Sequence, residues 1–161
     1  DHETYYLKFQ VKDGFFNDLF FPTNLNRIII NRMSLDIENE FTNIKKAVKK
    51  YSEVKIIGNF KLITVSKTKI GDWDYASSKI IRIAHELFEG PRITLDIGED
   101  FISYRCDEVI FSGPSLIAEL KEKFPYALVN GGGHDAAGSI RFNKSSKDEI
   151  FSYILSYLEK L

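Results

Sequence analysis

Asn130-Gly131-Gly132-Gly133-His134-Asp135-Ala136-Ala137-Gly138 is the stretch on which the reading of this chain turns. Three successive glycines lose a great deal of backbone entropy on folding, so a chain that keeps them has a use for bare backbone. One use is an anion nest: positive φ angles and missing side chains let the N–H groups of Gly131, Gly132 and Gly133 close on a phosphate. Ala136, Ala137 and Gly138 are small too, so the stretch can lie flat under a ligand or against a helix. His134 then offers a ring nitrogen to a phosphate or a base edge. The other use is a plain turn with His134 in solvent. Two better-known phosphate loops are excluded. Gly133 and Gly138 have Walker A spacing, but Ser139-Ile140 stands where Lys-Ser/Thr is required. No G-x-G-x-x-G follows a strand, so dinucleotide binding has no support.

Around this stretch lies an ordinary globular composition. The chain has 161 residues, 43% hydrophobic and 28% charged, with a formal net charge of -1. That length suits one domain with an attached arm, and the apolar content excludes intrinsic disorder and low-complexity classes. The apolar run at Ile28-Ile29-Ile30 is far short of the roughly 20 residues of a spanning helix, so no membrane is expected. The lone Cys106 excludes an internal disulfide and suits a reducing, cytoplasmic location. Near-neutral charge argues against strong non-specific DNA binding but leaves room for a local phosphate site.

Periodicity orders the chain as an α/β fold, a mixed β-sheet with packed helices, preceded by an N-terminal arm with a hairpin and a connecting helix. Residues 3–11 alternate Tyr5, Leu7, Phe9 and Val11 against Tyr6, Lys8 and Gln10, and 15–21 is the expected hairpin partner. Residues 25–33 read as helix or strand. Over 34–51, Ile37, Phe41, Ile44, Val48 and Tyr51 share one helical face, with Ser34 as N-cap, acids leading and lysines trailing. Residues 1–53 therefore form the arm and 54–161 the body. The body is read as a strand over 54–65, a helix over 73–88, a hairpin of 92–97 with 101–106, and a helix started by Gly113-Pro114 and running to Phe124. A strand over 139–142 and a last helix, with a Ser146/Glu149 capping box, complete it.

At this point the residues resemble a family. Residues 130–138 look like the GGGHxxAxG signature of the DHH-associated domain, the substrate-binding half of RecJ-type nucleases, nano-RNases and cyclic-dinucleotide phosphodiesterases. Ile102-Ser103-Tyr104-Arg105-Cys106 is similar to that family's v-S-l-R-S strand, and the helix between the two motifs fits. Asn130 and Cys106 depart from the pattern, replacing a glycine and a serine. The resemblance implies that Ser103, Arg105, Gly131, Gly132, Gly133 and His134 grip the phosphate or terminal nucleotide of a substrate, with Arg141 a second candidate. A guanidinium presents a planar fork that matches phosphate. From the residues alone Arg105 reads first as one half of a salt bridge with Asp107 or Glu108, and Arg141 as an exposed strand charge.

The family's chemistry needs two Mn²⁺ or Mg²⁺ ions held by Asp and His of another half. His2, His85 and His134 are the only histidines, and Asp1-His2-Glu3 is not a DHH triplet. The expectation is no catalytic residues, no metal and no cofactor. Cys106 lacks a partner base and has acidic neighbours that raise its pKa, and Ser139, His134 and Asp135 lack triad geometry. Phe15, Phe16, Phe20 and Phe21 read as core or interface rather than as base-stacking platforms, because no basic residues interleave them. Lys45, Lys46, Lys49 and Lys50 read as a solvated helix face. Among relatives of this kind, the resemblance points to the archaeal RecJ-derived replication subunit, which lacks the nuclease half and associates with the GINS complex and the MCM helicase. Weak single-stranded nucleic-acid binding goes with that role. The alternative is the excised substrate-binding domain of an active DHH-family phosphoesterase, RecJ-like or nano-RNase-like.

Overall fold

The computed structural model describes residues 24–66 and 77–161. The expected hairpin of the arm, residues 3–11 with 15–21, lies outside the described residues, as does the start of the helix expected over 73–88. The chain divides into two compact units, Asp1–Ile44 and Lys45–Leu161, and the border falls inside a helix.

That helix, α1, spans Asn24–Tyr51. It begins ten residues before the expected cap, and Ser34 is an interior position. No glycine or proline interrupts residues 25–33, and a serine inside a helix costs only a few tenths of a kcal/mol relative to alanine. The local cap signal therefore loses to continuation. Lys49 and Lys50 in the last turn complement the helix dipole.

The second unit carries a six-stranded mixed sheet. Residues 54–65, read as one strand, are a hairpin: β1, Ser52–Ile57, runs antiparallel to β2, Phe60–Ser66. Gly58 (φ 53°) and Asn59 form the two-residue turn between Ile57 and Phe60, a Gly-Asn signal present in the sequence. The helix α2, Ser77–Glu86, follows, and β3, Arg92–Ile97, pairs parallel with β2. β4, Phe101–Asp107, returns antiparallel as expected. The helix α3, Gly113–Lys123, starts behind Ser112, whose hydroxyl accepts from the Ser115 N–H at 3.4 Å. Then come β5, Asn130–His134, and β6, Ala137–Arg141, a hairpin whose inner strand β6 pairs with β4. The strand order is β1-β2-β3-β4-β6-β5, so β5 is an edge. The last helix, α4, is Lys147–Leu158. Its expected capping box is absent: the Ser146 side chain caps nothing, and Glu149 accepts from the Tyr126 hydroxyl at 2.7 Å instead.

Alternation along the strands assigns the two sheet faces. On one, Leu62, Ile93, Leu95, Ile102, Tyr104 and Ile140 join Leu116, Ile117 and Leu120 of α3 and Ile150, Ile154 and Leu158 of α4 in the main core. Each such side chain contributes roughly 1.5–3 kcal/mol by leaving water. On the other face Ile63, Val65, Thr94 and Asp96 are buried, and α2 lies against β2, β3 and β4 with Ile80, Ile81, Ile83 and Ala84 inside. Beyond α2, the same face of β6 and β5 is open.

Candidate nucleic-acid interface

The glycine run is an edge strand, not a nest. Gly133 alone of the three has a positive φ, 138°, and Gly131 and Gly132 are extended. The nest expectation fails because residues 130–134 find a partner strand in 137–141, and pairing straightens the backbone. Bare backbone is used differently at each position. A Cβ on Gly131 would meet the Ser139 carbonyl oxygen at 2.5 Å, and one on Gly133 would collide with the Ala137 carbonyl oxygen. Both glycines are demanded by close packing within the hairpin. A Cβ on Gly132 would meet nothing within 4 Å, because it would project from the open face.

Register then decides which side chains share that face. Directly opposed residues in antiparallel strands point the same way, as do residues two apart. Arg105 is opposite Ala137, which is opposite His134; Ser103 is opposite Ser139, which is opposite Gly132; Arg141 is opposite Asn130. These form three successive rows on one surface. Ser103, Arg105, Gly132, His134 and Arg141, singled out in the sequence, are thus brought onto one face, whereas the Cβ directions of Gly131 and Gly133 point to the opposite one. Ser139, Asn130 and, opposite Arg141, Phe101 also stand in these rows and were not singled out as binding residues. The signal that finds them is the parity of a hairpin turning at Asp135-Ala136.

Backbone hydrogen bonds add a second set of donors. Cys106 N–H donates to the Ala136 carbonyl at 2.8 Å and Phe142 N–H to the Asp100 carbonyl at 3.0 Å, so even-numbered residues of this stretch bond toward β4. Odd-numbered residues of β6 therefore bond Asn130, Gly132 and His134. Gly131 and Gly133 consequently turn their N–H groups out along the free edge. The Gly131 N–H is taken by the Asn130 side-chain oxygen at 2.8 Å, which leaves the Asn130 amide as a pure donor. A hollow of about 270 Å³ lies over Asn130, Gly131, Gly132, Ser139 and Arg141.

The two arginines differ in their surroundings. Asp107, one alternative partner of Arg105, bonds Arg92 at 3.1 Å instead. Arg92 also donates to the carbonyls of His85 and Gly90 at 2.9 and 2.8 Å, closing the end of α2. Arg105 is half-buried and has no hydrogen-bond or ion-pair partner among the described residues. Arg141 lies 3.6 Å from Asp100, with side chains 71% and 54% exposed; such a pair is worth about 0–1 kcal/mol. The hairpin end is fixed from below: the buried Tyr104 hydroxyl donates to the His134 carbonyl at 2.9 Å, and Ser112 donates to Asp135 at 2.7 Å.

His85 of α2 lies on the same side of the sheet as Arg105, its Nδ1 2.9 Å from the hydroxyl of Thr94, the residue opposite Arg105. Burial, with Arg92 and Arg105 adding positive charge, lowers its pKa to about 4. A histidine that protonates less readily folded than unfolded stabilises the fold above its unfolded value, near 6.5, and that contribution is lost as pH falls toward 4. Urea unfolding of the wild type is expected to weaken over that window, and His85→Gln to flatten the dependence; identical pH profiles would remove His85 as the cause. Cys106 is half-buried, and burial pushes its thiol up, with Asp107 adding to the effect. Among the described residues no group of three or more His, Cys, Asp and Glu side chains is placed to hold a metal ion. Among them, too, no helix is long and apolar enough to cross a membrane.

No protein-family model matches this chain. A solved structure described as the DHH domain of a member of a family of ribosomal proteins superposes on all of it with a TM-score of 0.83 at 24% identity. The chain shares the fold of the matching part of that DHH-domain structure. An exopolyphosphatase-related protein from Bacteroides fragilis matches 74% of the chain with a TM-score of 0.50 at 22% identity, and 35% of its own chain is covered. In sequence, an uncharacterized protein of Methanocaldococcus jannaschii is 25% identical across the whole chain. The present chain spans 24% of that relative and 40% of the DHH-domain structure.

Proposed function

We propose that the open face of β6 and β5, with the adjoining β4 residues beside α2, binds the phosphates of a single-stranded nucleic acid. The observation that carries this reading is the convergence of Arg105, Ser103, Ser139, His134 and Arg141 on one sheet face at the margin of α2, around a glycine that packing does not require. Donors dominate it: a guanidinium without a partner among the described residues, hydroxyls, the Asn130 amide and, along the edge, the Gly133 N–H. Such a set suits an acceptor-only, anionic ligand. In this reading the chain binds without cutting, as a RecJ-like accessory of a GINS–MCM replication assembly, and incubation with Mn²⁺ leaves single strands intact. What supports the replication role is the resemblance of the two motifs.

The greater length of the relatives supports a second reading. There the same face holds substrate for a DHH-type phosphoesterase, and the hydrolytic groups belong to other parts of the protein. Pull-down with purified GINS and MCM separates the two. Retention of either supports the accessory role, and retention of neither moves the weight to the phosphoesterase. Binding itself is tested with fluorescent single strands against wild type and Arg105→Ala; equal affinities would overturn the assignment of this face.

A further inference from the structure

Like-facing residues on a strand recur every two positions, about 7 Å, which is close to the repeat of phosphates along an extended single strand. The face has three such rows: Arg105 with His134, then Ser103 with Ser139 and Gly132, then Arg141 with Asn130. The first and last rows are about 14 Å apart along β6. The hollow lies over the last two rows, not over Arg105.

Resting on the phosphate-binding reading above, we infer that Asn130 and Arg141 form a second phosphate seat, so that the face takes single strands of at least three nucleotides in preference to mono- or dinucleotides. The Asn130 side-chain oxygen is spent on the Gly131 N–H at 2.8 Å, so its side chain presents donors alone. Arg141 adds a guanidinium whose ion pair with Asp100, at 3.6 Å between exposed groups, gives way easily to a phosphate. Ser139 supplies a hydroxyl for the intervening linkage, and its 3.5 Å contact with the Ser103 hydroxyl is long enough to yield. Gly132 keeps the middle row flat, so that an extended backbone can lie across it. A lone phosphate occupies one row; a strand with three phosphates reaches all three.

The test is a length series of 5′-phosphorylated thymidylates, one to six nucleotides, titrated against the full chain by calorimetry. Affinity is expected to rise about tenfold from two to three nucleotides and little thereafter, the size of step that one charge-assisted contact supplies. Arg141→Ala should abolish that step, lowering trinucleotide affinity about tenfold and dinucleotide affinity by much less. Asn130→Ala should reduce it, and Asp100→Asn should raise trinucleotide affinity about two- to threefold, as loss of a like charge near the seat predicts. Arg105→Ala should weaken every length alike. A series without a step at three, or an Arg141→Ala loss equal for two and three nucleotides, overturns the second seat and leaves the first intact. Absence of binding at all lengths overturns both readings.

Discussion

Arg105→Ala is expected to weaken binding of a single-stranded 12-mer by about 10- to 100-fold, since a hydrogen-bonded charge contributes roughly 1.5–3 kcal/mol. Arg105 has no protein partner to release among the described residues, so the loss measures the ligand contact rather than a rearranged ion pair. The salt dependence gives an independent readout. For single strands, log K against log salt is expected to flatten by about 0.7 for each phosphate contact removed. Arg105→Lys keeps the charge but not the fork, so it should restore the slope more fully than the affinity. Adding His134→Ala removes a second group from the same row and should take affinity to the detection limit while the protein stays folded. An unchanged salt slope in the double variant would show that nucleic acid binds elsewhere.

Gly138→Ala is expected to destabilise the fold by about 3 kcal/mol, the upper range for overpacking a filled interior, and to lower Tm by roughly 6–12 °C. Its Cβ would collide with the Tyr104 hydroxyl and stand 2.5 Å from the Gly132 carbonyl oxygen. Neither can retreat easily, since Tyr104 is 1% exposed and Gly132 is paired with Ser139. Gly132→Ala is the opposite case. The added methyl meets open space, and a stiffer unfolded chain should raise stability by about 0.4–1 kcal/mol. That same methyl stands on the proposed binding face and should weaken single-strand affinity. Urea unfolding together with anisotropy on the two variants checks both halves. A Gly132→Ala protein that loses stability would place its Cβ against packed atoms and undo the face assignment.

This pair of glycines marks where sequence reading stops. Gly132 and Gly138 are both glycines of a single motif, yet packing requires the second and not the first. The difference lies in which side of β6 and β5 each faces, and on the side of Gly138 stands Tyr104, brought from outside the motif. Likewise Arg105 is open to two readings in the sequence because Asp107 is its near neighbour. That Asp107 does not pair with it follows from Arg92, one strand away, which holds Asp107 while closing the end of α2. The capping box at Ser146 and the cap at Ser34 fail for a related reason. Both are local patterns, and a helix end is set by whatever tertiary or chain continuity offers more than a single cap hydrogen bond, worth about 1 kcal/mol.

From the sequence alone follow the mixed α/β class, the hairpin of β3 and β4, the proline-started α3 and the two motifs that carry the site. Their signals are short-range: alternation, turn residues and the entropy cost of glycine act within a few positions. Tertiary structure alone decided that the glycines form an edge strand, that α2 roofs one half of a sheet face and leaves the other bare, and that Asn130 and Ser139 stand in line with Arg105 and Arg141. Strand order and register are long-range pairings, and a shift of one residue would send every one of these side chains to the opposite face.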